Sequence, residues 1–277
     1  MNQKLYDAIL GFAIGDALGV PYEFKERGSF TCSDMTSYGT HYQPLGTWSD
    51  DTSMTLATLS SLKENAGRII PEDMRTKFNY WLLYGDFTAT GEVFDVGIST
   101  TKALRSGKPC IGEHDNGNGS LMRILPLAFV ECNDDDIRNV SAITHGHWIS
   151  MEACVILVHI AKRLLDGETV ENILPSLQYE KPFERLSTID KLDISRIKSS
   201  GYVMDTLEAA LWAVSHKGDW SSKCFKNDVL AAVNLGEDTD TVAAVAGGLA
   251  GIIYGLEADQ KWVDALVNKE AIISYLW

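Results

Sequence analysis

Two short stretches gather carboxylates and hydroxyls where apolar helical patterns begin. Trp48-Ser49-Asp50-Asp51-Thr52 sets adjacent aspartates beside hydroxyls, just ahead of Met54, Leu56, Ala57, Leu59 and Leu62. Gly236-Glu237-Asp238-Thr239-Asp240-Thr241 puts three carboxylates within four residues, ahead of an uncharged run to Leu256. Taken alone, the second stretch fits an ordinary helix start. Gly236 stops one helix, Asp240 or Thr239 caps the next, and the remaining carboxylates are solvated. A second cluster of the same kind favours a different chemistry. If the two meet in space, close carboxylates repel by roughly 4 kcal/mol per pair at an effective dielectric of about 20. Neither stretch holds a Lys or Arg to offset this. Hard divalent cations, held by carboxylate, hydroxyl and water oxygens, are the usual solution. A donor set without Cys or His favours Mg²⁺ or Mn²⁺ over Zn²⁺, and helix N-termini help keep the aspartates ionised.

Further candidates surround this pair. Ile9, Phe12, Ala13 and Asp16 share one face of a first helix, so Asp16 falls on the apolar side. An unpaired charge there is costly; it needs a hydrogen-bond partner or a metal shell. Glu23 follows in the next turn, after Pro21-Tyr22, and could reach the same place. Gly117-Asn118-Gly119-Ser120 precedes an apolar stretch read as a helix from Ser120 to Val130. Backbone N–H groups at such a start can cradle a phosphate; the alternative is a plain glycine loop with a Ser cap. His145 is a candidate ligand contact and equally a structural histidine. Tyr202, at another helix start, could stack on a base or simply pack. Trp81, Trp148, Trp212, Trp220, Trp262 and Trp277 are read as packing and surface residues.

The elements that must position these groups are helical throughout. Leu5, Ala8, Ile9, Phe12 and Ala13 mark an amphipathic first helix. Further helices are expected over 51–62, 75–83, 120–130, 151–165, 202–214, 228–233, 241–254 and 260–267. No convincing alternating strand pattern occurs, so the fold class is all-α. Small residues at Ala243, Ala244, Gly247, Gly248 and Gly251 permit a close helix approach that would hold one acidic cluster against the other. Segments 25–46 and 175–201 are polar and irregular, and loops of that length are usually functional or mobile. There is no Pro-, Gly- or Ser-rich linker and no internal repeat, so one domain over 1–277 is the simplest organisation.

Composition narrows the partners. The 277 residues are 45% hydrophobic with a formal net charge of -14, suited to a sizeable core and unsuited to a phosphate backbone or an anionic membrane surface. The longest uncharged run, 241–256, falls short of the roughly 20 residues that span a bilayer. Cys32, Cys110, Cys132, Cys154 and Cys224 form no C-x-x-C pair. Reduced thiols in a cytoplasmic protein fit best. The N-terminus does not read as a signal peptide, and a monomer is the default.

In this order the pieces resemble the ADP-ribosylglycohydrolase family, in particular the type that frees dinitrogenase reductase of ADP-ribose. The resemblance rests on GFAIGDALGVPYEF (11–24), WSDDTSMTLAT (48–58), FDVGIST (94–100), GNGSLMR (117–123), THGH (144–147), SGYVMDTLEAALWA (200–213) and GEDTDTVAAVAGGLAGIIYG (236–255). It implies a compact orthogonal helical bundle with a cleft holding two Mg²⁺ or Mn²⁺ ions. Carried over residue by residue, the metal ligands would be Ser49, Asp50, Asp51, Asp238, Asp240 and Thr241. Ser49 stands where relatives often have Thr and keeps the hydroxyl. Glu23 matches the glutamate beside the metals, and Asp95 an aspartate near the scissile ribose. Gly117, Asn118, Gly119, Ser120, Met122, His145 and Tyr202 would contact ADP-ribose.

The implied activity is hydrolysis of the bond between ADP-ribose and an acceptor on a protein or small molecule. The acidic site suits an arginine guanidinium better than a serine. Two other readings compete. One is a non-catalytic ADP-ribose-binding or structural relative, which would not need mutually repelling carboxylates. The other is an all-α metal phosphohydrolase using both histidines of THGH, for which a His-Asp dyad and a third aspartate after Asp51 are missing.

Overall fold

A computed structural model describes residues 2–216, 224–256 and 260–277. Helix α1 (Gln3–Gly19) starts at Asn2, whose side chain accepts from the backbone of Lys4 and Leu5. It is not amphipathic as expected: every residue from Asp7 to Gly19 is buried. The reason is its neighbour. Helix α10 (Thr239–Tyr254) lies along it and is itself buried from Thr239 to Ile252. An all-round buried helix is a core helix rather than a surface one.

The pair packs closely because glycines face backbone. A Cβ on Gly15 would stand 1.9 Å from the carbonyl oxygen of Ala243, and one on Gly247 2.2 Å from that of Gly11. At the end nearest the acidic clusters, a Cβ on Gly19 would lie 2.3 Å from Asp240 Cα. So α10 can approach α1 only where side chains are absent.

Around this pair stand α2 (Asp50–Glu64), α3 (Pro71–Tyr84), α4 (Ile98–Ser106), α5 (Asp134–Ser141), α6 (Trp148–Leu165), α7 (Val170–Ser176), α8 (Val203–Ser215) and α9 (Phe225–Val233). Two short helices, α11 (Gln260–Ala265) and α12 (Lys269–Ser274), close the chain. One apolar core runs through them all, from Leu5 to Leu276. Among the described residues, extended pairing is limited to three isolated bridges, so the all-α expectation holds. No helix of the described residues is long and apolar enough to cross a membrane.

Three expectations need correction. The stretch 120–130 is not an α-helix but two 3-10 turns, Leu121–Arg123 and Leu125–Phe129. Pro126 opens the second turn and lacks the N–H that a continuous helix would use. The helix after Gly236 begins at Thr239 with Asp238 in the cap position, and Asp238 makes no side-chain cap bond. Segment 175–201 is not simply polar and irregular. It contains two 3-10 turns and buries Phe183, Leu186, Ile189 and Ile197, and Trp212 Nε1 donates to Leu192 O at 2.9 Å. Helices α4, α5, α7 and α12 were not expected; α5 carries a capping box between Asn133 and Asp136. Trp220 lies outside the described residues. Trp148 is half exposed, while Trp81, Trp212 and Trp262 are buried.

Candidate active site

The α1–α10 contact delivers two helix starts to one place. Asp16, on the fourth turn of α1, is fully buried and faces the first turn of α2. Its carboxylate accepts from Ser49 N at 2.9 and 3.0 Å, from Thr52 N at 3.0 Å and from Thr52 Oγ1 at 2.6 Å. It thereby satisfies N–H groups that a helix start leaves without partners. Ser49 caps α2 as well, accepting from Asp51 N at 3.2 Å. The apolar-face aspartate therefore has hydrogen-bond partners, and they tie α1 to the first acidic motif.

The second motif arrives on α10. Thr241 Oγ1 donates to Asp51 Oδ1 at 3.3 Å, across 190 residues of sequence. Ligand atoms of Asp16, Asp51 and Asp240 lie within 4.8 Å of one another, as do those of Glu23, Asp238 and Asp240. Asp240 belongs to both groups, so the two neighbour each other. A third group, Glu23, His41 and Asp95, shares Glu23. The expectation that the two clusters meet is met by the geometry.

Electrostatics describe a site short of positive charge. Burial, then the charges of Asp95, Asp16, Glu23 and Asp238, pushes the Asp50 carboxyl well above its ordinary range. Asp51 and Asp240 are raised in the same way, and Asp238 more mildly. Asp16 rises to about 6 from burial, held back by its four donor contacts. Glu23 rises to about 8, from burial first and then from Asp95 and Asp238, against a lowering hydrogen bond from His41. Among the described residues, no Lys or Arg pairs with any of these aspartates. Asp51 Oδ2, Asp238 Oδ1 and Asp240 Oδ2 are buried with no hydrogen-bond partner. Buried carboxylate oxygens without donors are costly unless they coordinate a cation. The donor set, all oxygen in the two aspartate groups, fits a hard divalent ion.

Above these residues opens a cleft of about 510 Å³. Glu23, Asp50, Asp95, Gly117, Asn118, Gly119, Met122, His145, Asp238 and Thr241 all line it. Ser49, Asp51 and Asp240 are buried and are not part of its lining. Asn118 Nδ2 donates to Asp238 Oδ2 at 2.9 Å and to Thr206 Oγ1 at 2.9 Å, which holds the second motif against the glycine turn. Gly119 is required there, because a Cβ would lie 2.8 Å from His145 Cε1 and 2.9 Å from Thr100 Oγ1. Asp95 stands on the wall with φ +57, a conformation rare for residues other than glycine and tolerated mainly where the surroundings enforce it.

Other candidates sit differently from expectation. Ser120 turns inward, with its Oγ 2.9 Å from Ser141 Oγ and 3.5 Å from Cys154 Sγ. The glycine turn leads into a three-residue 3-10 turn, so it is not the start of an α-helix, and the helix-start argument for a phosphate cradle does not apply. Tyr202 caps α8 beside the lining residue Gly201, and its backbone pairs with Gly117. It is 38% exposed, so core packing does not describe it either. The THGH histidines part company. His145 lines the cleft, whereas His147 caps α6 and accepts from Ile149 N at 3.3 Å, so they form no ligand pair.

Sequence reasoning missed His41, which hydrogen-bonds Glu23, and the lining residues Phe24, His114 and Asp115. His41 comes from a 3-10 turn, Gly39–His41, inside a segment without periodicity, and no local pattern marks it. Arg123 lay within a quoted motif, yet its burial could not be read from it.

Comparison with known proteins gives matches along nearly the whole chain. The family model described as ADP-ribosylglycohydrolase matches residues 1–276. An ADP-ribosylarginine hydrolase, Tri1, of Serratia proteamaculans is 34% identical over 286 residues, covering 97% of this chain and 76% of that protein. The ADP-ribosyl-[dinitrogen reductase] glycohydrolase of Rhodospirillum rubrum is 28% identical over 97% of this chain and 92% of its own length. A solved ADP-ribosylglycohydrolase-related protein complex superposes with a TM-score of 0.80 at 31% identity, over 99% of this chain and 95% of that one.

Proposed function

This chain belongs to the ADP-ribosylglycohydrolase family, whose members are glycosyl hydrolases, and on that premise we propose that it removes ADP-ribose from arginine side chains of modified proteins with the help of two Mg²⁺ or Mn²⁺ ions. The observation that carries the metal is the set of partnerless buried oxygens on Asp51, Asp238 and Asp240, from two helix starts in contact. Ser49, Asp50, Asp51, Asp238, Asp240 and Thr241 would hold the ions. When bound, such ions supply Lewis acidity that orients ribose hydroxyls and lowers the pKa of a water.

The chain's own groups account for the rest. Breaking the bond between the anomeric carbon and the acceptor nitrogen develops positive charge on the ribose, which a nearby carboxylate stabilises. Asp95 and Glu23 line the cleft at its carboxylate-rich end and are the groups to do this and to move the proton from water to the departing nitrogen. Gly117, Asn118, Gly119, Met122 and His145 line the same cleft and would receive the rest of ADP-ribose. Ser120 supports that turn from behind, and Tyr202 stands beside it.

Arginine is the preferred acceptor for two reasons. Besides the carboxylates that would hold the ions, the cleft presents Glu23, Asp95 and Asp115 to a cationic guanidinium, and two relatives are named ADP-ribosylarginine hydrolases. We assign the chain to the cytoplasm as a single-domain monomer. Its five free cysteines support the compartment. The test is release of ADP-ribose from arginine-linked and serine-linked peptides, with Mg²⁺ or Mn²⁺ and with a chelator. Release from arginine should be faster by at least about tenfold, a barrier difference of about 1.4 kcal/mol, and should stop on chelation. Equal rates would remove the acceptor preference, and chelator-resistant release the metal.

A further inference from the structure

Arg123 is a buried cation that the proposed chemistry does not use. It is fully buried, and among the described residues no carboxylate pairs with it. Its guanidinium lies 4.4 Å from the Phe78 ring centroid, Nη1 donates to Val140 O at 3.2 Å, and Nη2 donates to Thr144 Oγ1 at 2.8 Å. Thr144 Oγ1 is in turn 2.9 Å from His145 Nδ1. His145 lines the cleft, with its Nε2 side beside Gly117 and Gly119.

The direction of the chain of bonds follows from donor counting. A guanidinium only donates, so Thr144 Oγ1 accepts from Arg123. The threonine has one hydrogen to give, and it is buried. If His145 Nδ1 carried the ring proton, Thr144 would accept twice and its own O–H would point at nothing, which costs about 1–3 kcal/mol. If Nδ1 is bare, the O–H donates to it and both Thr144 Oγ1 and His145 Nδ1 are satisfied, while Arg123 Nε has no partner in either case. The ring proton then sits on Nε2, facing the cleft. Backbone bonds fix the ring's base: Cys110 N donates to Thr144 O and Gly146 N to Cys110 O, both at 2.8 Å. The buried charge of Arg123 also opposes a second ring proton; burial first, then that charge, pushes His145 down to about 3.

We propose that Arg123 and Thr144 are positioning residues that hold His145 as the Nε2–H tautomer, giving the cleft a fixed hydrogen-bond donor for an acceptor oxygen of the ligand. His145 itself makes the contact. Arg123 acts only through Thr144, which explains a charge that stability alone does not require, since buried charges can often be replaced by apolar groups of similar volume without loss.

The experiment combines nitrogen NMR of the histidine rings in the full chain with ADP-ribose binding by calorimetry. The His145 resonances are assigned by their loss in His145→Gln. The wild type should show a protonated Nε2 and a bare Nδ1 at His145. Arg123→Met keeps the packing on Phe78 but removes the donor that sets the Thr144 hydroxyl, so its O–H is free to turn to the side Arg123 held, where Val140 O has lost a donor, and its oxygen can accept from Nδ1–H. It should populate the other tautomer and weaken ADP-ribose binding about tenfold (1.4 kcal/mol), while the melting temperature stays near that of the wild type. Arg123→Lys, which retains a donor, should recover part of the affinity. In a His145→Gln background, Arg123→Met should cost nothing further, the non-additivity expected of residues acting through one another. A protonated Nδ1 in the wild type overturns the relay, and this holds even if the methionine variant does not fold. So does an Arg123→Met protein with unchanged tautomer, or losses that add in the double variant. The choice of ADP-ribose as probe rests on the proposed function, but the tautomer is read without ligand. Failure of the wild type to bind ADP-ribose would count against that function and leave the tautomer as a separate result.

Discussion

Asp16 shows how a charge is accommodated on an apolar helix face. Its oxygens take four donor contacts from Ser49 and Thr52, so it behaves as an extra cap for α2 placed on another helix. Asp51, Asp238 and Asp240 differ, because each keeps an oxygen that nothing protonic satisfies. That contrast separates a carboxylate satisfied by the fold from those proposed to hold metal. Asp50→Ala and Asp238→Ala should each lower turnover by about 100-fold or more, the scale on which disturbed metal surroundings are felt, and weaken Mg²⁺ or Mn²⁺ uptake in calorimetry. Near-normal turnover in both would rule out the metal role. Asp16 was legible as an anomaly from the helix period alone, but its partners were not, since they lie 33 and 36 residues away.

At the scale of elements, the α1–α10 seam does the positioning. The glycines at 15, 19, 247 and 251 meet backbone rather than side chains, so any added carbon pushes the helices apart instead of rotating a neighbour away. Gly15→Ala should destabilise by about 1–3 kcal/mol or more, read by chemical denaturation. The same variant should weaken divalent-ion binding, because Asp240 and Thr241 ride on α10 while Asp16 rides on α1. A stable Gly15→Ala protein with normal metal uptake would show that the seam does not set the site. Helices with strong apolar periodicity, such as α6 and α8, were read to within a few residues. Helix α4 was missed because it buries only Thr100, Ala103 and Leu104, and 120–130 was misread because Pro126 sits inside an otherwise helical apolar pattern.

For the molecule as a whole, the acidic centre should make stability depend on pH and on added metal. Burial raises Asp16 from 3.8 to about 6 and Glu23 from 4.5 to about 8. Between each pair of values the folded chain holds a proton that the unfolded chain has lost, so stability falls as pH rises through that window. His145 acts in the opposite sense only below its ordinary 6.5. The span from pH 6.5 to about 8.5 therefore reads Glu23 together with His41, which its hydrogen bond to Glu23 raises above 6.5 and which loses stability in the same sense. Metal-free protein should melt at progressively lower temperature across that span. Added Mg²⁺ or Mn²⁺ should raise the melting temperature most at its upper end, by about 2.7 kcal/mol of stability when the ion is at a hundred times its Kd. A flat metal-free profile that the ions do not move would contradict a metal-stabilised centre.

What the sequence determined by itself was whatever depends on near neighbours along the chain: helical class, two acidic helix starts, the oxygen-rich donor set and the motif order that marks the family. Periodicity and donor type are local properties, so they survive without coordinates. Only the tertiary structure decided which distant groups touch. It brought Thr241 to Asp51, set His41 against Glu23, turned Ser120 away from the cleft and ran a hydrogen-bond chain from Arg123 to His145. Each of these contacts costs chain entropy that packing elsewhere in the molecule must offset, and no short stretch of residues records where that balance falls.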